Sequence, residues 1–195
     1  MDLAEYFKSE FAEHSDVARR SEAALSGAFA ELVRVCVKSV RGGGKLLFFG
    51  NGGSAADAQH LATELTVRYR GDRAAIAAIA LTTDGSALTA GGNDLGFDRV
   101  FARQIEALGR PGDVAIAMST SGKSPNVIAG LKQAKAMGLV TAAFGGAGGG
   151  EMAGLADHLL AVPSATVARI QEMHIALGQM LCGALEIELG LAGRR

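Results

Sequence analysis

Five short, unbroken apolar runs punctuate the chain beyond residue 44, at 45–49, 75–81, 113–118, 139–144 and 158–162. None alternates apolar with polar residues. Each must therefore be covered on both faces, as strands of a parallel sheet are. Helical stretches lie between them at about 54–69, 97–108, 124–137 and 151–155, and a long closing helix runs over about 165–189. Strands alternating with helices predict an α/β fold, a doubly wound, flavodoxin-like sheet of five parallel strands. Residues 2–41 carry a helical pattern, read as two helices, with Ala24, Leu25, Phe29, Leu32, Val33 and Cys36 on one stripe. That extension is too thin to bury itself, so it is expected to pack on the body or on a second copy of the chain.

Composition narrows the function classes. The 195 residues, 49% of them hydrophobic and only 3 of them proline, suit one domain over 1–195 with a full core. A net charge of −1 without long runs of one sign lacks the basic footprint of a direct nucleic-acid binder. The longest purely apolar run, 74–81, is too short to span a bilayer, and the acidic, amphipathic start lacks the order of a signal peptide. Cys36 and Cys182 sit in helical apolar patterns and read as buried thiols of a reducing compartment, which predicts the cytoplasm.

The 27 glycines cluster between the apolar segments, and ligands of such sheets sit beyond the carboxyl ends of the strands. Directly after the first strand comes Gly50-Asn51-Gly52-Gly53-Ser54-Ala55, which matches the dinucleotide pattern G-x-G-x-x-A. A nicotinamide site also wants an acidic residue about 20 positions on, and Asp84 lies further than that. What remains is backbone N–H groups bared at a helix start, which favours an anionic or polar ligand. After the third strand comes Ser119-Thr120-Ser121-Gly122-Lys123-Ser124-Pro125. Ser124 suits the N-cap and Pro125 the first helical position. Four hydroxyls exceed what capping needs, and with free N–H groups they form a phosphate cradle that requires no arginine. The end of this loop imitates a Walker A motif, but Ala117 stands where the opening glycine should be.

Polar residues interrupt two apolar helices. His60 and Glu64 are four apart and share a face, suited either to a metal or to acid–base chemistry. The closing helix carries Gln171 in its opening turns and Gln179 further on, while Glu172 and His174 read as its solvated or interface side. Arg68, Arg70 and Arg73 read as a solvated helix end, and His14 and His158 have no visible partner.

Taken in order, Gly50-Asn51-Gly52-Gly53-Ser54, His60 with Glu64, Asn93-Asp94, Ser119-Thr120-Ser121 with Ser124, and Arg169-Ile170-Gln171-Glu172 resemble bacterial phosphoheptose isomerases of the sugar-isomerase (SIS) group. The resemblance covers about residues 43–189. It implies conversion of sedoheptulose 7-phosphate to D-glycero-D-manno-heptose 7-phosphate, the first step toward ADP-heptose and lipopolysaccharide core. It further implies a homotetramer with active sites between subunits and one zinc ion per subunit. Residue by residue, Asn51, Gly52, Gly53 and Ser54 line the sugar site, and Asn93 and Asp94 touch the substrate. Ser119, Thr120, Ser121 and Ser124 bind phosphate. His60, Glu64 and Gln171 match zinc ligands, Glu64 and Gln171 also contact the substrate, and Glu64 is the candidate base.

One position departs from that pattern. The family places a histidine eight residues after the glutamine, as a further zinc ligand and acid–base group, and here that residue is Gln179. A carboxamide can ligate through oxygen but cannot titrate. Gln171 and Gln179 lie about 12 Å apart along a straight helix, so the site is expected to combine residues of two subunits. The chain also resembles DiaA, a non-catalytic SIS scaffold that binds the replication initiator DnaA and lacks both the acid matching Glu64, which this chain keeps, and the later histidine, which this chain also lacks.

Overall fold

A computed structural model describes residues 2–191; Met1 and 192–195 of the expected domain lie outside the described residues. Five strands form one all-parallel sheet in the order β2-β1-β3-β4-β5. They are β1 (Leu46–Gly50), β2 (Ala78–Ala80), β3 (Val114–Ser119), β4 (Val140–Gly145) and β5 (His158–Ala161); four lie within one residue of the expected run, whereas β2 is shorter than its run and starts three residues later. The runs are unbroken because both faces are covered. Leu46, Phe48, Val114, Ile116, Met118 and Phe144 point to one side, and Leu47, Phe49, Ala115, Ala117 and Ala143 to the other.

The first face carries α1 (Leu3–Arg41), α2 (Gly53–Thr66) and α6 (Val167–Glu188), and the second carries α4 (Val100–Leu108) and α5 (Pro125–Ala136). Against expectation, α1 is one unbroken helix of 39 residues. Gly27 is its single glycine, at a cost of about 1 kcal/mol, and the buried stripe of Val17, Leu25, Leu32 and Cys36 outweighs it. Asp2 caps the helix, its carboxylate accepting from Ala4 N at 3.0 Å. Before Val17 nothing on α1 is buried, and Leu3, Phe7 and Phe11 are exposed.

A further helix, α3 (Gly85–Leu95), was not anticipated from the sequence. Asp84 starts it by accepting from Ala87 N at 2.9 Å, and no residue of it is buried. The expected helix from 97 is divided into a single 3₁₀ turn, Phe97–Arg99, and α4. The expected short helix at 151–155 is likewise a 3₁₀ turn, Gly150–Gly154.

Helices α2 and α6 lie very close together. A Cβ on Gly178 would come 2.4 Å from Leu61 Cδ1, so only glycine fits there without a shift. Beyond α2, Arg73 is not part of a solvated helix end. Its side chain is 1% exposed, pairs with the equally buried Glu186 at 2.8 Å, and donates to the carbonyls of Glu64 and Leu65. Glu186 also accepts from Tyr69 N at 3.1 Å. Arg68 and Arg70 are exposed as expected, Arg70 lying over the Tyr69 ring.

Removing one partner of such a pair leaves an uncompensated buried charge. Arg73→Met should therefore lower stability by about 3–5 kcal/mol in denaturant titration, and Arg73→Met with Glu186→Leu should recover most of that loss.

Candidate functional site

Strands β1 and β3 are neighbours, yet the chain leaves β1 toward β2 on one side and β3 toward β4 on the other. The loops that follow them meet at this switch point, where open α/β sheets bind their ligands. They are tied together directly. Asn51 Nδ2 donates to Asn126 Oδ1 at 2.8 Å, and Asn126 Nδ2 donates back to Asn51 Oδ1 at 2.9 Å. The Asn51 side chain is thus engaged in joining the loops, and its carbonyl accepts from Ser54 N at 3.0 Å. Sequence reasoning missed Asn126; its signal was a polar residue directly after Pro125, at the start of an otherwise apolar helix. In the first loop Gly52 has φ +57°, Gly53 opens α2, and buried Ser54 donates to Gln171 Oε1 at 3.3 Å.

The second loop gathers hydroxyls. Ser119 Oγ lies 3.5 Å from Ser121 Oγ and 3.3 Å from Ser124 Oγ, and accepts from Gly122 N at 3.2 Å. Ser124 occupies the N-cap position of α5, but its hydroxyl makes no capping bond. This corrects the expected capping role: the hydroxyl points at Ser119, Pro125 has no N–H and Val127 N donates to Asn126 Oδ1 at 2.9 Å, so the Asn126 N–H is the one donor of the first turn of α5 left open to a ligand. Thr120 is partly exposed beside them. Gly122, at φ +63°, sits where a Cβ would come 2.2 Å from Gly149 O, so the glycine segment after β4 backs the cradle directly.

On α2, His60 Nε2 lies 3.1 Å from Glu64 Oε1 and 3.2 Å from the Gln179 carboxamide of α6. The eight-residue spacing does separate the two glutamines. Gln179 joins His60 and Glu64, whereas Gln171 bonds Ser54 and, through its Nε2, Asp57. Burial raises the Asp57 pKa above the usual carboxylate value, against the lowering effects of the Gln171 bond and of His60.

Among the described residues no three His, Cys, Asp or Glu side chains cluster to hold a metal, so a metal site here depends on a carboxamide. The donor set fits one. Ligands about 2.0–2.1 Å from a tetrahedral ion stand about 3.3 Å from each other, close to the two separations found. With the Gln179 amide turned so that its oxygen faces His60, the imidazole nitrogen has a carboxylate oxygen and a carbonyl oxygen beside it. As oriented, His60 Nε2 would have to donate to Glu64 and accept from the Gln179 amide at once, which one nitrogen cannot do.

Asn93 and Asp94 end α3, exposed, hydrogen-bonded to each other at 2.7 Å and to neither loop. Two other expectations are corrected. His174 is fully buried rather than solvated, and its Nε2 faces Gly145 O at 3.2 Å. Glu172 is half-buried between Arg169 at 2.6 Å and His14 at 2.8 Å, so His14 does have a partner. Cys36 and Cys182 are buried, and burial pushes both thiols up to about 12, which keeps them protonated.

Residues 10–146 match the SIS domain family. The chain is 58% identical over 186 residues to a phosphoheptose isomerase of Paramagnetospirillum magneticum, covering 95% of this chain and 97% of that one. It is 51% identical over 179 residues to a phosphoheptose isomerase of Campylobacter jejuni, covering 92% and 96% respectively. Among solved structures, phosphoheptose isomerase GmhA of Neisseria gonorrhoeae superposes with a TM-score of 0.90 at 43% identity, covering 95% of this chain and 99% of that one. A phosphoheptose isomerase of Francisella tularensis gives 0.93 at 33%, covering 96% and 100%. The chain therefore belongs to the SIS domain family and, within it, to the phosphoheptose isomerases.

Proposed function

We propose that this chain is an aldose–ketose isomerase that converts sedoheptulose 7-phosphate to D-glycero-D-manno-heptose 7-phosphate through an enediol. The observation that carries the reading is the pairing of a hydroxyl-lined anion cradle after β3 with an imidazole–carboxylate pair on the helix after β1. Ser119, Thr120, Ser121 and Ser124 hold the phosphate with the start of α5, while Gly52, Gly53 and Ser54 line the sugar.

Glu64 takes the proton from one carbon and returns it to the neighbouring one, the task of a positioned carboxylate near neutral pH. A divalent metal, zinc at one per subunit, supplies positive charge for the developing enediolate oxygen when bound. His60, Glu64 and Gln179 would hold it. Gln171 of a neighbouring subunit would complete the set, since the eight-residue spacing holds this chain's own Gln171 at Ser54 and Asp57, and Gln179 cannot carry a proton in place of the usual histidine.

Several finer assignments belong to the same proposal. Exposed Leu3, Phe7 and Phe11 on α1 and the unburied helix α3 suit a homotetramer, in which Asn93 and Asp94 could complete a neighbour's site. Buried, protonated thiols suit the cytoplasm, and no helix among the described residues is long and apolar enough to cross a membrane. The scaffold reading is not favoured, because the carboxylate at Glu64 is retained and the relatives at 51–58% identity are phosphoheptose isomerases.

Incubation of the purified protein with sedoheptulose 7-phosphate, with and without added zinc, should yield the aldose; an inactive, folded, zinc-loaded protein would return the scaffold reading. Ser121→Ala with Ser124→Ala should weaken sugar-phosphate binding by about 1.5–3 kcal/mol per lost bond in calorimetry, and unchanged affinity would remove this loop from the site. Glu64→Gln should keep substrate affinity while turnover falls about 10²–10⁴-fold and deuterium from solvent no longer enters carbon 2. Gln179→His should tighten zinc binding in a chelator competition, since an imidazole nitrogen replaces an amide oxygen; unchanged zinc affinity would take residue 179 out of the ligand set.

A further inference from the structure

His174 is the one fully buried histidine, on α6 one turn after Gln171, and no step above uses it. Burial pushes its pKa down to about 4, so the ring is neutral at working pH and carries a single N–H. That N–H must be on Nε2, because Nε2 faces a carbonyl oxygen, and Nδ1 is left buried without a partner. Packing alone does not call for such a group; an apolar side chain would fill the space beside Phe144 without orphaning a nitrogen.

The carbonyl it meets belongs to Gly145, the last residue of β4, which stands in register with Ser119 of the cradle. From there the glycine segment 145–150 is wedged between α6 and the serine loop. A Cβ on Gly146 would meet Thr120 O at 2.6 Å on one side and Ile170 Cδ1 of α6 at 2.7 Å on the other. A Cβ on Gly150 would meet Ser121 O at 2.7 Å, and Glu151 N donates to Gly122 O at 3.0 Å. The cradle thus leans on the glycine segment, and the segment leans on α6 at Ile170 and His174.

We propose that His174 is a positioning residue for the phosphate cradle, fixing the end of β4 so that the glycine segment holds Ser119–Ser124 in their ligand-binding arrangement. The proposal rests on the reading of that cradle as the phosphate site of a sugar-phosphate isomerase. It predicts a defect in phosphate affinity with chemistry left intact, which simple destabilisation would not produce.

The test compares the full chain with His174→Leu, which keeps bulk and loses the donor, and His174→Gln, whose amide reaches the Nε2 position. Calorimetry with sedoheptulose 7-phosphate, steady-state kinetics and inhibition by inorganic phosphate are measured on each. Expected for the Leu variant is an affinity loss and KM rise of tenfold or more, a parallel rise in the phosphate inhibition constant, and kcat within threefold of native. The Gln variant should stay within threefold of native throughout. If the Leu variant does not fold, His174→Asn, too short to reach Gly145, takes its place with the same expected loss. A variant without the donor that has a lower Tm but native affinity overturns the proposal, as does a loss confined to kcat. A Gln variant that fails as badly as the Leu variant makes the residue a packing element only. A native protein with no affinity for the sugar phosphate overturns the isomerase reading together with this one.

Discussion

Contact of backbone against backbone at the carboxyl edge of the sheet is the constraint on which the rest depends. At Gly122, Gly146 and Gly150 there is no room for a side chain, because another loop's main chain occupies that space. The segments that follow two neighbouring strands, β3 and β4, therefore share one packed surface. The hydroxyls of Ser119, Ser121 and Ser124 meet because the glycines behind them permit it, and Asn51 and Asn126 fasten the first loop to the same assembly. The sheet order supplies the platform by making β1 and β3 neighbours.

The second half of the site depends on how α2 and α6 meet. Gly178 lets Leu61 come into contact with the α6 backbone, which brings Gln179 to His60. Two turns further on, the Arg73–Glu186 pair locks the chain beyond α2 to the end of α6, and Arg73 also fixes the carbonyl of Glu64. A buried ion pair is a poor source of net stability, but it sets register between elements, and here the register decides that Gln179 of α6 meets His60 of α2.

Much of this was legible in the sequence, and the exceptions have physical causes. Continuous apolar runs could only be doubly covered strands, so four of the five strands were readable to within a residue; β2 pairs with β1 alone, at the edge of the sheet, and is shorter than its apolar run. The serine loop and the His60–Glu64 pair were readable because their residue types exceed what local structure needs. Helix α3 was hidden because Gly85, Gly91 and Gly92 look like turns, and nothing in a single helix that buries no residue produces an apolar stripe. Arg73 and His174 were misread as solvated because a polar letter in a helical pattern defaults to the outside; their partners, Glu186 and Gly145, are distant in sequence. Asn126 was missed for the same reason, as its partner Asn51 lies 75 residues away.

An anion seated in the serine cradle would be held almost wholly by neutral donors. The loop's one cation, Lys123, is exposed, and the rest of the grip comes from hydroxyls and the single open N–H, of Asn126, at the start of α5. Neutral donors carry no net charge for dissolved ions to screen, so salt acts on such hydrogen bonds less than on an ion pair. A site lined with arginine loosens as salt rises, whereas this one keeps its hold. The converse is that a molecule with a net charge of −1 offers an incoming anion no long-range attraction. Its ligand arrives by unassisted diffusion and is recognised only on contact.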